Sequence, residues 1–489
     1  MTQRKILMAT ASLLLAAGLF TPAAQADEAK NVILMISDGL GFNGWEAAKY
    51  YQGSLPYDNS DFNFYGMTTY MNNVKDLDSG NMLDSDSSDV KGADAALHNW
   101  EAVPQGYDKT QMWSDFEYHR NNQSYNGFTD SAAAATAMYT GQKTYNSAVS
   151  YGVNGQELET IAEIAADLDK ATGAISSVQF SHATPAAVYA HTNYRYNKTD
   201  IATQAINSDL DVIMGGDAYV DTEGEYPGAV AGLKSDAAAR GFNIVDTDTG
   251  WTELADGTTV PTGKVLGTFS GSTLDGRTTP TLQQMTEGAL NVLEQDEDGF
   301  FLMVEGGAID WQNHANNADL MMREQVDFDN SVQAVMDWVE ANGGWGENLL
   351  IVTSDHETGC IWGPDSGIVD VNNTPDDPSD DEHVFNPVGD NGAGNLPDMD
   401  YYSGGHTNAL VPLWARGAGA DLFDGLVDDT DDTAAAFWTQ FDNGEWDGSY
   451  VDNTDIFTVM ESTVPEPASM GLLALGSLGV LLRRRRRTA

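Results

Sequence analysis

The sequence predicts an α/β protein, a three-layer sandwich around a mainly parallel central sheet. Two observations carry that prediction. Three apolar runs, Val32-Ile33-Leu34-Met35-Ile36, Phe301-Leu302-Met303-Val304 and Leu349-Leu350-Ile351-Val352, each end in polar or glycine residues. Continuous runs of this kind are the pattern of strands buried on both faces. Between the runs, helical and strand patterns alternate. Residues 157–170 space Leu158, Ile161, Ile164, Ala165 and Leu168 along one helical face, and 174–178 follow as a strand. Residues 318–341 form a long amphipathic helix that leads through Gly343-Gly344 into the third run. Strand–helix–strand alternation builds a parallel sheet covered by helices. Three stretches break the alternation, about 72–127, 217–262 and 361–402, all rich in Gly, Asp, Asn or Trp. They are expected as insertions on the functional rim.

The ends of the chain carry addresses. Met1-Thr2-Gln3-Arg4-Lys5 precedes an apolar stretch, 6–20, and Ala24-Gln25-Ala26, which together form a secretory signal over 1–26. At the other end Val464-Pro465-Glu466-Pro467 leads into the apolar stretch 468–482 and five arginines, 483–487. This tail, 464–489, resembles the PEP-CTERM sorting tails of exported Gram-negative proteins. The resemblance implies export to the periplasm or cell surface, with membrane contact through the tail before sorting. Residues 27–463 are then the body of the chain, one domain with the three insertions. With 41% hydrophobic residues the chain has ample material for a core, and its formal charge of −51 disfavours nucleic acid as a binding partner. One cysteine, Cys360, excludes an intrachain disulfide. It is expected as a buried thiol rather than a metal ligand.

Asp38, Glu305 and Asp355 each lie at or just past the end of one apolar run. Open α/β sheets bind ligands outside the carboxyl ends of their strands. Three strand ends can therefore converge and offer oxygen ligands to a polynuclear metal centre. Asp310 and His314, four apart, share one helical face and make a pincer suited to zinc. Asp355-His356 offers adjacent oxygen and nitrogen ligands, and Gly404-Gly405-His406 presents an imidazole on a flexible turn. The Ala-rich run 129–141 predicts a helix with Asp130 or Ser131 at its N-terminus. A serine there lies at the positive end of the helix dipole, which favours an alkoxide and a bound phosphate. The remaining histidines, His98, His119, His191 and His383, are expected to be structural or exposed.

These motifs, with Thr129-Asp130-Ser131-Ala132, His182-Ala183-Thr184-Pro185, Val304-Glu305-Gly306 and Gly405-His406-Thr407, resemble the alkaline phosphatase family over residues 31–413. The resemblance implies an enzyme acting on small-molecule phosphate monoesters, with two zinc ions and one magnesium ion. Ser131 would be the phosphorylated nucleophile and Arg195 a bidentate phosphate clamp. One zinc would be held by Asp310, His314 and His406, the other by Asp38, Asp355 and His356. Magnesium would take Asp38, Thr184 and Glu305. His182 stands beside that third site where the best-known bacterial pattern has an aspartate, and Trp311 stands where that pattern has a lysine. Family members are commonly homodimers, so a homodimer is the oligomeric state the resemblance implies. Two alternatives remain at this point. One is a phosphodiesterase or sulfatase of the same superfamily. The other is a non-enzymatic acidic calcium-binding surface protein, for which Asp76-Leu77-Asp78 and Asp84-Ser85-Asp86 speak slightly.

Overall fold

In a computed structural model, which describes residues 28–464 apart from 84–89, 91, 94, 121–127, 217–228, 271–279 and 371–380, the first apolar run forms β1 (Asn31–Ile36), buried throughout. Helix α1 (Phe42–Gln52) follows and stops at Gly53, whose φ of 85° only glycine adopts freely. β2 (Asn63–Thr68) comes next. The first rim stretch folds into a small antiparallel sheet of β3 (Asn72–Asp76), β4 (Met82–Leu83) and β5 (Trp100–Pro104). Two short helices follow, α2 (Lys109–Ser114) and α3 (Phe116–His119), capped by the carboxylates of Asp108 and Asp115. In α4 (Ser131–Thr140) all ten residues are buried, because alanine lets neighbouring backbones come close.

Helix α5 (Ile161–Asp167) is shorter than the expected 157–170. A capping box between Thr160 and Glu163 fixes its start, and Asp169 at φ 58° turns the chain after it. β6 (Ala171–Gln179) extends the expected strand, and α6 (Ala183–Ala186) and α7 (Lys198–Asn207) lead to β7 (Val212–Gly216). The alternation continues through α8 (Ala229–Ala239), β8 (Asn243–Val245), α9 (Asp248–Ala255), β9 (Val265–Phe269) and α10 (Leu282–Leu293). β10 (Phe300–Glu305), α11 (Ala308–His314), α12 (Ala318–Ala341) and β11 (Asn348–Thr353) lie where the apolar patterns put them. Short ribbons follow: β12 (Glu357–Thr358), β13 (Ile361–Trp362), β14 (Gly367–Asp370), β15 (Asp381–Val384), β16 (Asp400–Tyr401) and β17 (His406–Thr407). The chain closes with β18 (Val411–Gly417), β19 (Asp429–Thr430), α13 (Asp432–Phe437), β20 (Ser449–Asp452) and α14 (Thr454–Thr463).

Eleven strands make the central sheet in the order β19-β20-β2-β18-β11-β1-β10-β6-β7-β9-β8. From β11 to β8 every neighbouring pair is parallel, and β18 joins antiparallel to β11 and β2. Successive residues of β1 face opposite layers. Ile33 and Met35 pack with Trp45, Met285, Phe328 and Val332 of α1, α10 and α12. Val32, Leu34 and Ile36 pack with Ala132, Ile161, Ile201 and Ile456 of α4, α5, α7 and α14. The result is an α/β three-layer sandwich. Ile36 pairs with both Glu305 and Thr353, so the ends of β1, β10 and β11 are level, and Asp38, Glu305 and Asp355 leave the sheet together.

The stretch 217–262 differs from the expected rim insertion. Its described part supplies α8, α9 and the edge strand β8, parallel to β9, so it continues the sandwich. Only three residues of β8 keep the strand pattern, too few to read as periodicity. The stretches 72–127 and 361–402 form small sheets outside the central one. The expected signal segment 1–26, the tail beyond Val464 and the Asp84-Ser85-Asp86 segment lie outside the described residues. Among the described residues no helix is long and apolar enough to cross a membrane.

Candidate active site

Ser131 is the first residue of α4, buried, with its hydroxyl 3.2 Å from His356 Nε2. Asp130, just before it, accepts from the N–H groups of Ala133 and Ser147 at 3.0 Å and from Arg195 Nη1 at 2.8 Å. Burial opposes its ionisation, but the Arg195 guanidinium and those N–H donors outweigh it and hold the carboxyl below its usual value. Asp130 thus caps the helix that begins at Ser131 and fixes the guanidinium beside it. The other end of Arg195 lies 3.4 Å from His182 Nε2.

Around Ser131 the strand ends converge. Three groups of side chains come close enough to hold cations: Asp310–His356–His406, Asp38–Asp355–His356 and Asp38–His182–Glu305. His314 adjoins the first group, its Nε2 3.4 Å from Asp310 and 3.2 Å from His406 Nε2. Thr184, on α6 after His182, is buried with no hydrogen-bond partner for its hydroxyl. Ser131, Arg195, Asp38, His182, Thr184, Glu305, Asp310, His314, Asp355, His356 and His406 are therefore gathered in one region. His119, His191, His383 and His98 stand apart: His119 accepts from the Trp362 indole, His191 pairs with Glu163, His383 accepts from the Phe116 amide and His98 stacks on Trp100. Cys360 is buried, and burial pushes its thiol up, as for an inert structural cysteine.

The donor set fits divalent cations. Both carboxylate oxygens of Asp38, one each of Glu305 and Asp355, and the Thr184 hydroxyl are buried without hydrogen-bond partners, a costly arrangement that a cation relieves. Burial and neighbouring carboxylates raise Asp38 well above its ordinary value and push Asp355 up to about 8. Burial likewise lifts Glu305 to about 7. The imidazoles are aimed to match. His314 Nδ1 faces the Gly404 carbonyl at 2.7 Å, and His406 Nδ1 faces the Thr129 carbonyl at 2.8 Å. A carbonyl only accepts, so each ring carries its proton on Nδ1 and turns an Nε2 lone pair toward the cluster. His356 does the same through Thr358, whose hydroxyl donates to Asp310 at 2.7 Å and lies 3.2 Å from His356 Nδ1.

Sequence reasoning missed Thr358, and saw Asp130 only as a helix cap. Thr358 follows His356 by two residues, a spacing too common to single it out. It is anchored because β12 pairs with β17, Thr358 opposite His406. Ser176 on β6 was missed as well. It donates to Glu305, on the neighbouring strand at the same register.

Comparisons with known proteins give the family of the chain. The sequence profile of the alkaline phosphatase family matches residues 98–374, and that of the PEP-CTERM protein-sorting motif matches 463–487. The latter motif marks proteins for export sorting in Gram-negative bacteria. Alkaline phosphatase 3 of Bacillus subtilis is 27% identical over 462 residues, covering 83% of this chain and 87% of the relative. Alkaline phosphatase of Escherichia coli is 28% identical over 402 residues, covering 71% and 75%. Among solved structures, alkaline phosphatase of the Antarctic bacterium TAB5 shares the fold at a TM-score of 0.57, 24% identity and coverage of 90% and 99%. That of Thermus thermophilus does so at 0.59, with 19% identity and coverage of 92% and 96%. The chain belongs to the alkaline phosphatase family, metal-dependent enzymes of phosphoric monoester hydrolysis.

Proposed function

We propose that this chain is an exported alkaline phosphatase that hydrolyses phosphate monoesters through a phosphoserine at Ser131, with residues 27–463 as its catalytic domain. The observation that carries the proposal is the Ser131 hydroxyl, 3.2 Å from His356 Nε2, at the N-terminus of α4 and beside Arg195. Asp310, His314 and His406 would hold one zinc, and Asp38, Asp355 and His356 the other. Asp38, Thr184 and Glu305, with His182 alongside, would hold magnesium. When bound, such ions neutralise the buried carboxylates, lower the pKa of a bound hydroxyl and stabilise a leaving oxygen.

The chain's own groups do the rest. The guanidinium of Arg195, held by Asp130, offers paired donors to two non-bridging oxygens of the substrate. The free N–H groups of α4 and its dipole favour negative charge at Ser131 Oγ and on the phosphoryl group. Ser131 Oγ gives up its proton to solvent and forms the new bond to phosphorus while the ester P–O bond breaks, and the departing alkoxide takes up a proton from water. Water then attacks phosphoserine, releasing inorganic phosphate and restoring the hydroxyl. His182, neutral and T-shaped against Trp311 at 5.6 Å between ring centres, borders this space without adding charge.

The test is acid quenching during turnover. Wild type given labelled phosphate should yield phosphoserine, and Ser131→Ala none, with any residual slow hydrolysis coming from substrate positioning alone. Full phosphorylation of the alanine variant would remove Ser131 from this role.

A further inference from the structure

Between Glu305, a carboxylate of the Asp38–His182–Glu305 group, and α11, which carries Asp310 and His314, lie only Gly306 and Gly307. Two glycines in a row make a soft hinge, because each leaves the backbone a wide choice of conformation. Gly307 is required for space. A Cβ placed there would meet Val178 Cγ2 at 2.7 Å and the Glu305 carboxyl carbon at 2.9 Å. The same lack of a side chain leaves α11 without a cap of its own, where a serine, threonine or aspartate ordinarily accepts from the first N–H groups. The turn that links two cation groups therefore has no local restraint.

β6 supplies the restraint from the neighbouring strand. Its pairing with β7 slips between Ile175 and Gln179, where four steps along β6 match two along β7. Such an irregularity frees backbone from the ladder and re-aims side chains. Ser176, opposite Glu305 in the pairing with β10, accepts from the Val178 N–H at 3.0 Å and donates to Glu305 Oε2. The Val178 N–H occupies a lone pair of the hydroxyl and so turns its one proton to the carboxylate. Ser177 accepts from the Ala308 N–H at 3.2 Å, across 131 positions of sequence, and stands in for the cap that Gly307 lacks. Both serines are buried. One holds the turn where it leaves β10, the other where it enters α11.

We propose that Ser176 and Ser177 are positioning residues that divide the centre between them: Ser176 sets the affinity of the third cation group, and Ser177 that of the group built on Asp310, His314 and His406. The proposal rests on the cation assignment above and adds what sets its geometry. Each hydroxyl acts through the ligand it holds. Without Ser176, the Glu305 carboxyl is free to rotate, and Oε1, the oxygen left without a partner, loses its fixed direction. Without Ser177, α11 tilts on its two glycines and carries Asp310 and His314 with it, while Glu305 stays in its strand.

The experiment titrates the full chain, freed of metal by chelation, with Zn²⁺ and then, zinc-loaded, with Mg²⁺. Wild type, Ser176→Ala and Ser177→Ala are compared, with metal content measured in parallel. Ser176→Ala should weaken Mg²⁺ about tenfold, the scale of a lost partner behind a ligand, and leave Zn²⁺ within about twofold. Ser177→Ala should weaken one Zn²⁺ site about tenfold and leave Mg²⁺ within about twofold. Ser176→Thr and Ser177→Thr keep the hydroxyl and should bind both cations as wild type does. A merely structural role would lower the denaturant midpoint of the chelated alanine variants with every cation affinity unchanged. That outcome, or equal loss of both cations in both variants, overturns the brace and leaves the cation assignment standing. Wild type that takes up neither Zn²⁺ nor Mg²⁺ overturns both. A measurement on wild type alone covers variants that fail to fold. The Ala308 amide should exchange slowly with solvent deuterium in the chelated protein, because Ser177 holds it before any cation binds. Fast exchange there, beside slow exchange in β10, shows that the cap does not form and overturns the proposal.

Discussion

At position 182 an imidazole faces Arg195, with Nε2 3.4 Å from its guanidinium and Nδ1 buried without a partner. Burial and the Arg195 charge push its pKa well below the usual histidine value, so it is neutral and brings no negative charge to the third cation group. Replacing it by a carboxylate adds one hard oxygen next to Asp38 and Glu305. His182→Asp should therefore hold magnesium about tenfold more tightly, an effect on the scale of one added charged ligand contact. A Mg²⁺ titration of dialysed wild type and variant, with metal content measured in parallel, tests this; equal affinities would show that residue 182 does not govern the third site. Asp38, Glu305 and Asp355 were legible because each ends an apolar run, Asp310 and His314 because they share a helical face, and His406 because glycines precede it. His182 and Thr184 stood out only through the family resemblance. The supporting contacts were not legible. Thr358 reaches Asp310 across 48 positions of sequence, and Asp130 reaches Arg195 across 65. Such pairings exist only once the sheet and the rim ribbons have packed.

Element by element, long periodic patterns translated well and short ones poorly. α12 spans the expected residues, while α5 was cut back by its own capping box and β8 was hidden inside a Gly- and Asp-rich stretch. α1 carries a feature that no periodicity announces: Glu46, buried against the core with one oxygen unpartnered and the other accepting from Tyr50 at 2.7 Å. Burial pushes its pKa up from 4.5 to about 7. Below about pH 4.5 the carboxyl is protonated in both folded and unfolded chains and changes nothing. Between there and pH 7 the unfolded chain ionises it while the folded chain keeps the proton, so stability falls as pH rises. The loss approaches about 3 kcal/mol above pH 7. Glu46→Gln keeps the shape and removes the titration. Denaturant unfolding at pH 5 and pH 8 should show a smaller loss across that interval in the variant, by about 2–3 kcal/mol. Equal losses in the two proteins would count against this account.

For the molecule as a whole, the carboxylates at the strand ends and the formal charge of −51 act in the same direction. Stripped of cations, Glu305 and Asp355 have folded-state values near 7 and 8, above their ordinary ones. The chelated protein therefore loses stability as pH rises from about 4 to 8, while a cation-loaded centre, which needs the ionised forms, gains. The gap in Tm between metal-loaded and chelated protein should widen by several degrees from pH 6 to pH 9, as expected for a few kcal/mol in a large domain. Added salt should recover part of the loss by screening. Differential scanning calorimetry with and without chelator at the two pH values tests this, and a gap that does not change with pH would show that the carboxylate cluster does not set the stability.

The position of β1 has a consequence for the order in which the chain acquires structure. β1 lies between β10 and β11, and Asn31 bonds Asn348 across 317 positions. During synthesis, the strand that leaves the ribosome near the start waits without its neighbours until most of the chain has followed. Contacts this remote close slowly, because the loop entropy must be met before any pairing rewards it. For the export proposed here that delay is an advantage, because a chain whose first strand still lacks its neighbours stays unstructured and can be threaded. The candidate cation groups, which draw on residues from Asp38 to His406, likewise come together only after most of the chain has been made.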